Sequence, residues 1–353
     1  MIVNIFGPDN NDIKIDGKPV IVVSISGGET SGYMSAKLKE LYGDQYHIVY
    51  IFSNTGMENE ETLVFVDQCD KKFGLNVIWV EAVVNPIHMK GITHRVTNFR
   101  DAYRNHQYAD ELHPFHAHIR KSGIPNANKP QCSDRLKAFA IEHYKKTHNL
   151  KHVPHAIGIR FDEKGRAIKT SLAKLIKSCG IDPDDWRLTN CHKTRIEVIK
   201  NAIILSPKQK NAIIKYSEKL KGYGLIYPLI DIIPSTKQDV KKFWKNQTFR
   251  LEIEDHEGNC QTCWKKSDKK LWLIALESPI RFAGFSYWEE NYQHIKPNDD
   301  GKPRVFFRGH KSTKTIIKEA SLCNAQHLRE MIGAEVSDDT DGCSESCESY
   351  SLA

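Results

Sequence analysis

The sequence has no apolar run that approaches the length of a membrane-spanning helix. The longest run, Val20 to Ile25, is the size of a single strand, so no membrane partner is expected. The N-terminal residues Met1 to Asn4 lack the basic start and apolar segment of a secretory signal, which predicts a cytoplasmic location. Internal repeats and low-complexity segments are also missing. Their absence favours one continuous globular unit over a solenoid or a disordered chain.

Nine cysteines are the first positive feature of the composition. Their number is odd and the chain shows no export signal, so metal, cluster or redox chemistry is a better interpretation than a disulfide scaffold. The 353 residues are 40% hydrophobic and 27% charged, as in an ordinary globular protein. The net charge of +7 permits contact with a nucleotide or a nucleic acid without requiring it.

Strand and helix signals alternate through the first half of the chain. Apolar, β-branched runs predict strands at 20–25, 47–52, 76–81 and 155–159. Amphipathic patterns predict helices at 30–41 and 58–73. This alternation predicts an α/β fold with a doubly wound, mostly parallel sheet. In such folds ligands bind where the loops leave the carboxyl ends of the strands.

The segment that joins the first predicted strand to the first helix has the composition of an anion site. Its two glycines let the backbone turn sharply and approach a ligand. The helix start offers free N–H groups and a positive dipole end, to which the hydroxyls add donors, as at phosphate and sulfate sites. The alternative is a tight turn with an ordinary hydroxyl cap, and the spacing excludes a Walker A loop. The candidate binding residues are Ser26, Gly27, Gly28, Glu29, Thr30 and Ser31.

Three further segments follow predicted strands or open a predicted helix. Residues 54–62 read Asn-Thr-Gly-Met-Glu-Asn-Glu-Glu-Thr, 132–137 read Cys-Ser-Asp-Arg-Leu-Lys, and 158–163 read Gly-Ile-Arg-Phe-Asp-Glu. With the Ser-Gly-Gly-x-Thr-Ser loop, they resemble the phosphoadenosine phosphosulfate (PAPS) reductase family of the PP-loop superfamily, although Asn54 stands where Asp is usual. The resemblance implies an adenylyl nucleotide held by its phosphate or sulfate end. Outside the loop, the implied nucleotide-binding residues are Asn54, Thr55, Gly56, Gly158, Arg160 and Arg166.

Arg160 is also a candidate catalytic residue. Its guanidinium fork matches the oxygens of a phosphate or a sulfate. The alternative is a structural salt bridge to Asp162 or Glu163.

The resemblance divides the chain into four parts. Residues 1–17 are an N-terminal strand extension, and 18–235 are the PP-loop nucleotide-binding domain. Its stretch at about 85–130 has no clean period and is typical of an insertion that serves as a lid or substrate loop. Residues 236–310 form a helical region with a C-x-x-C motif, and 311–353 form a C-terminal tail. The helical, cysteine-bearing extension thus follows the sheet.

Cys260 and Cys263 form the C-x-x-C motif, whose spacing suits zinc, an iron–sulfur cluster or a dithiol redox pair. In cluster-bearing relatives the segment that matches residues 132–137 opens with a cysteine pair, and here Gln131 replaces the first member. The resemblance therefore implies Cys132, Cys260 and Cys263 as ligands, with Cys191 as a candidate fourth or one iron left open for a sulfur species. We expect a [4Fe-4S] cluster, with zinc and no metal as alternatives.

Two cysteines of the tail, Cys343 and Cys347, are further candidates for catalysis. PAPS reductases carry a C-terminal nucleophilic cysteine in a Glu-Cys-Gly-Leu-His element, which this tail lacks. The neighbouring acidic residues would raise the thiol pKa and weaken a nucleophile. A resolving or metal-binding pair, and a solvated tail without a role, therefore remain alternatives.

The resemblance implies an enzyme of sulfur chemistry on ATP or adenylylated sulfate. In a reductase, a thiol reductant displaces the nucleotide and sulfite is released. In a sulfurtransferase, ATP activates a target such as DNA or tRNA, pyrophosphate leaves, and a sulfur donor attacks. The alternative is an inactive nucleotide- or nucleic-acid-binding protein on the same fold. Its surface would combine Trp244, Trp264 and Trp272 with the lysines of 208–221, of 241–242 and of 265–270. A solvated helix face is the simpler account of the lysines of 208–221.

Overall fold

A buried strand at the centre of a sheet organises the chain. The computed structural model describes residues 13–87, 89–168, 170–183, 192–254, 256–298 and 301–338. Strand β2 is buried from its second residue to its last because it has sheet neighbours on both sides. The seven strands are β1 (Lys14–Ile15), β2 (Lys18–Ile25), β3 (His47–Asn54), β4 (Ile78–Val84), β5 (Ile92–Thr97), β6 (His155–Ala156) and β7 (Leu225–Ile226).

The strand order is β5-β4-β3-β2-β6-β7, with β1 paired to β2. All pairs are parallel except β1 with β2 and β4 with β5, which are antiparallel. The α/β class with a mostly parallel sheet is therefore confirmed. Parallel pairing places the carboxyl ends of β2, β3 and β4 at one edge, where their loops meet.

Helices cover both faces of this sheet. They are α1 (Glu29–Tyr42), α2 (Glu60–Phe73), α3 (Pro114–Ser122), α4 (Phe139–Thr147), α5 (Thr170–Ser178), α6 (His192–Asn201), α7 (Pro207–Tyr223), α8 (Pro228–Asp231), α9 (Lys237–Lys245), α10 (Asp268–Glu277), α11 (Ala283–Tyr292), α12 (Thr313–Ala320) and α13 (Ala325–Asp338). A π-helical segment, Ser133–Ala138, leads directly into α4. None of the helices in the described ranges is long and apolar enough to cross a membrane.

The residues of β2 alternate between two hydrophobic cores. Val20 and Val22 belong to the core that also contains Trp264 and Trp288, whereas Ile21 and Val23 belong to the other core. Successive side chains of a strand point to opposite faces, and a parallel sheet is covered on both, so the near-continuous apolar run is explained.

Two segments differ from the sequence prediction. The strand predicted over 155–159 is confined to β6, because the Ile159 N–H donates to the Ile157 carbonyl at 3.0 Å and closes a tight turn at Gly158, which packs against the start of α1. The stretch 85–130 contains β5, which pairs with β4, and α3, whose Phe115 and Ile119 lie in the core. This stretch therefore adds an edge strand and a packed helix to the sheet.

Candidate functional site

The candidate phosphate loop, residues 26–31, is called the phosphate loop below and is shaped by hydrogen bonds among its own residues. The Ser31 hydroxyl accepts hydrogen bonds from the Ser26 N–H and hydroxyl, both at 3.0 Å, and donates to the Gly28 carbonyl at 2.9 Å. Ser31 is fully buried, so its hydroxyl holds the loop instead of facing a ligand. The N-cap of α1 is Gly28, which supplies no side-chain cap. The first N–H groups of α1 are left for another acceptor, as the first turn of any helix leaves them.

Gly27 is required by both conformation and space. Its φ is +86°, and an added Cβ would lie 2.3 Å from Cγ2 of Thr62. Packing this close lets α2 support the loop from beneath. Thr30 and Glu29 open the first turn, where the Arg160 Nη1 donates to the Thr30 hydroxyl at 3.0 Å and Glu29 lies 3.8 Å from the Arg250 Nε.

Arg160 reaches the loop and is also paired with acids. Its Nε donates to Asp162 Oδ1 at 3.0 Å, and its Nη2 lies 3.5 Å from Glu163 Oε2. Arg166 contacts the same Glu163 oxygen at 2.6 Å. The salt bridges of the structural alternative are present, and they hold the Arg160 guanidinium beside Thr30. Contact of this guanidinium with a phosphate or a sulfate stays a prediction. Gly158 packs on the same turn, since an added Cβ would lie 3.1 Å from the Ser31 Cα.

Asn54 lies at the carboxyl end of β3 and is fully buried. Its amide donates to Glu81 Oε1 at 2.5 Å and to the Tyr103 carbonyl at 2.9 Å, while its oxygen accepts from the Gly56 N–H at 3.2 Å. These bonds engage both ends of the amide. Asn54 therefore braces the turn that contains Gly56, where the sequence had suggested nucleotide contact.

The carboxylate of Glu58 contacts both the turn after β3 and a buried lysine. Its Oε2 accepts from the Thr55 N–H at 2.9 Å and hydroxyl at 2.8 Å, and its Oε1 lies 3.3 Å from the Lys137 Nζ. Both charged side chains are buried. A buried carboxylate needs such a counter-ion and hydrogen bonds to remain charged. The pair ties the turn after β3 to the segment that starts at Cys132.

The C-x-x-C segment lies between the phosphate loop and the turn after β3. Glu58 and Cys260 form an antiparallel β-bridge. The Asn59 N–H donates to the Asn259 carbonyl at 2.8 Å, and the Gln261 N–H donates to the Met57 carbonyl at 3.0 Å. Residues more than 190 positions apart in the sequence are thereby brought to one edge of the sheet.

Cys260 and Cys263 contact each other through a hydrogen bond between their thiols. This bond, together with the ammonium of Lys266, lowers the pKa of Cys263, while the same bond and burial raise the pKa of Cys260. Lys266 is itself only 1% exposed. The arrangement favours a Cys263 thiolate that accepts a hydrogen bond from the Cys260 thiol.

Of the expected metal ligands, Cys132, Cys260 and Cys263 lie in the part of the chain that the structure describes, and Cys191 lies outside it. Within that part, no three His, Cys, Asp or Glu side chains are arranged to hold a metal ion. Cys132 directly precedes the π-helical segment, and Cys260 and Cys263 contact each other. The [4Fe-4S] cluster, with zinc and no metal as alternatives, therefore stays a prediction.

No family model matches the chain. It is 26% identical over 331 residues to a protein of Escherichia phage lambda, the uncharacterized nin region protein ORF290. That likeness covers 93% of this chain and 94% of the phage protein. The description of the phage protein assigns it no activity.

Other predicted residues lie elsewhere. Cys343 and Cys347 fall outside the described residues. The suggested stacking surface is wrong, because Trp244 and Trp264 are buried and the half-buried Trp272 donates its indole N–H to Glu319 at 3.0 Å. Aromatic side chains that build a core are not available to stack on bases.

Two residues of the site were not predicted to belong to it. Asn259 touches the phosphate loop, and Lys266 lies beside the thiol pair. A polar residue beside a C-x-x-C motif is a weak signal because loops are rich in such residues. Lysines are almost always exposed, so nothing in the sequence indicated that Lys266 is buried.

Proposed function

We propose that this chain is a cytoplasmic enzyme of the PAPS reductase type, which binds an adenylyl nucleotide at the phosphate loop and carries out sulfur chemistry on it. The observation that carries the proposal is the convergence of the loop, the turn after β3, Arg160 and the C-x-x-C segment at one edge of the sheet. The lysine-rich helix α7 is not required by it.

The phosphate or sulfate end of the nucleotide would lie at the start of α1. The first-turn N–H groups and the helix dipole favour an anion there. Arg160, held in place by Asp162 and Glu163, would donate a further charged hydrogen bond from beside Thr30. Donors fixed before the reaction stabilise negative charge that develops on the oxygens of the leaving nucleotide.

The thiol pair is connected to the loop through a neighbouring residue. Cys260 is next to Asn259, whose amide contacts the loop at 2.9 Å. A thiolate is the form that attacks sulfur, and the surroundings of Cys263 favour that form. The proposal includes an iron–sulfur cluster or zinc bound by these thiols together with Cys132 and Cys191. Metal analysis of the purified protein tests this part.

The test is an anaerobic assay for two products. One reaction contains adenylylated sulfate and a dithiol, and sulfite is measured. The other contains ATP with DNA or tRNA, and pyrophosphate is measured. Sulfite supports a reductase and pyrophosphate supports a sulfurtransferase, whereas the absence of both products would overturn the proposal.

Two variants connect the assay to the site. Arg160→Ala should lower the turnover about a hundredfold, the scale of losing one fixed donor at a developing anion. The matched control is Arg100→Ala, because Arg100 is exposed on the loop after β5. Equal activity of the two variants would remove Arg160 from the mechanism.

A further inference from the structure

The segment Gly258–Gln261 is fixed on one side by the turn after β3. Two backbone hydrogen bonds join it to Met57 and Asn59, at 3.0 and 2.8 Å. The Asn59 amide adds a third, to the Gly258 carbonyl at 2.7 Å. Three hydrogen bonds over four residues leave this segment little freedom to move independently of the turn.

On its other side the segment contacts the phosphate loop through one side chain. The Asn259 Nδ2 donates to the Ser26 carbonyl at 2.9 Å. The same nitrogen would lie 3.4 Å from a Cβ built on Gly28. Asn259 thus fixes the first peptide of the loop and limits the space beside its second glycine.

The next residue along the chain carries the thiol chemistry. Cys260 is bridged to Glu58 and hydrogen-bonded to Cys263. The Lys266 Nζ is also close, at 3.0 Å from a Cβ built on Gly258. A substituent added to the half-buried Cys260 must displace this packed segment, and Asn259 moves with it because the two residues share a peptide bond.

We propose that Asn259 is a positioning residue that couples the Cys260–Cys263 pair to the phosphate loop, so that a substituent on the thiol pair weakens nucleotide binding. This inference rests on the proposed function in one respect, because it takes a nucleotide as the ligand of the loop. Coupling between two sites is reciprocal, so bound nucleotide must protect the thiols to the same degree.

The experiment measures both directions of this coupling. The rate of alkylation of Cys260 and Cys263 by iodoacetamide is followed by mass spectrometry, with and without saturating ATP. The affinity for ATP is measured by calorimetry before and after alkylation. The variants are Asn259→Ala and, as a matched control, Asn291→Ala, because the exposed Asn291 amide also donates to a backbone carbonyl, that of Tyr287 at 2.8 Å.

In the parent chain we expect ATP to slow alkylation, and alkylation to weaken ATP binding, each by about tenfold, within the usual range of coupling between sites. Asn259→Ala should bind ATP several-fold more weakly through loss of one hydrogen bond. At saturating ATP it should show no protection of the thiols. Asn291→Ala should behave as the parent chain.

Full protection in Asn259→Ala at saturating ATP would overturn the proposal, because the nucleotide would then shield the thiols directly. An unchanged ATP affinity after alkylation of the parent chain would overturn it as well. If neither ATP nor adenylylated sulfate binds the parent chain, the proposed function fails and the coupling fails with it. Binding without coupling refutes the coupling alone.

Discussion

Replacing Gly27 by alanine tests how tightly the phosphate loop is built. The residue has a φ of +86°, and the new Cβ would lie 2.3 Å from the Thr62 Cγ2 and 3.5 Å from the Phe52 ring. A left-handed conformation costs a non-glycine residue about 1–2 kcal/mol. Overpacking a buried site costs about 1–3 kcal/mol more. The free energy of unfolding should therefore fall by roughly 2–5 kcal/mol.

Two further variants separate these causes. Gly17 also has a positive φ, of +76°, but an added Cβ there meets no atom within 4 Å, so Gly17→Ala should show only the conformational cost. Thr62→Ser removes the Cγ2 methyl that blocks Gly27→Ala. The double variant Gly27→Ala with Thr62→Ser should recover the unfolding free energy lost to overpacking, but not the free energy lost to the left-handed conformation.

Urea denaturation followed by circular dichroism measures the unfolding free energy of the parent chain and of the four variants. ATP titration of the folded variants then reports the effect on binding. The reasoning is refuted if Gly27→Ala is no less stable than Gly17→Ala, or if Thr62→Ser brings no recovery.

Three more outcomes follow from the site. Lys137→Met should lower the unfolding free energy by about 3–5 kcal/mol, because the buried carboxylate of Glu58 loses its counter-ion. Adding Glu58→Gln should restore part of the lost free energy, as measured by urea titration. Burial lowers the pKa of His113 from 6.5 to about 4, so its contribution to stability is present above pH 6.5 and is lost, by about 3 kcal/mol, as the pH falls to 4. His113→Asn should flatten that part of the pH profile. An anaerobic preparation should be brown and contain iron. The Cys260→Ala variant should lose this iron, and the Cys323→Ala variant should keep it. A colourless protein with stoichiometric zinc would contradict the cluster.

The sheet could be predicted because burial on both faces leaves a clear pattern. The runs that became β2 and β3 are β-branched and uninterrupted, and Gly74, with a φ of +59°, ends α2 where the sequence indicated. The end of β6 was not predicted, since the apolar run 155–159 continues past the turn that Gly158 makes beside the start of α1. A composition rich in polar residues likewise concealed β5, an edge strand with one exposed side.

The meeting of the loop, the turn after β3 and Arg160 at one edge of the sheet could be predicted, but not the contacts of each side chain. Hydroxyl and amide groups suit a ligand and a supporting contact equally well, and only the tertiary structure separates the two. Ser31 supports the loop and Asn54 supports the next turn, although both types of residue bind phosphates elsewhere. The contact from Asn259 to Ser26 spans 233 residues, a separation over which no local pattern operates.

A crystal structure with a non-hydrolysable ATP analogue would show whether a nucleotide binds at the phosphate loop. We expect phosphate oxygens within about 3 Å of the first N–H groups of α1 and of the Arg160 guanidinium. Phosphates bound at another edge of the sheet, or a phosphate loop that stays empty at saturating analogue, would contradict this expectation.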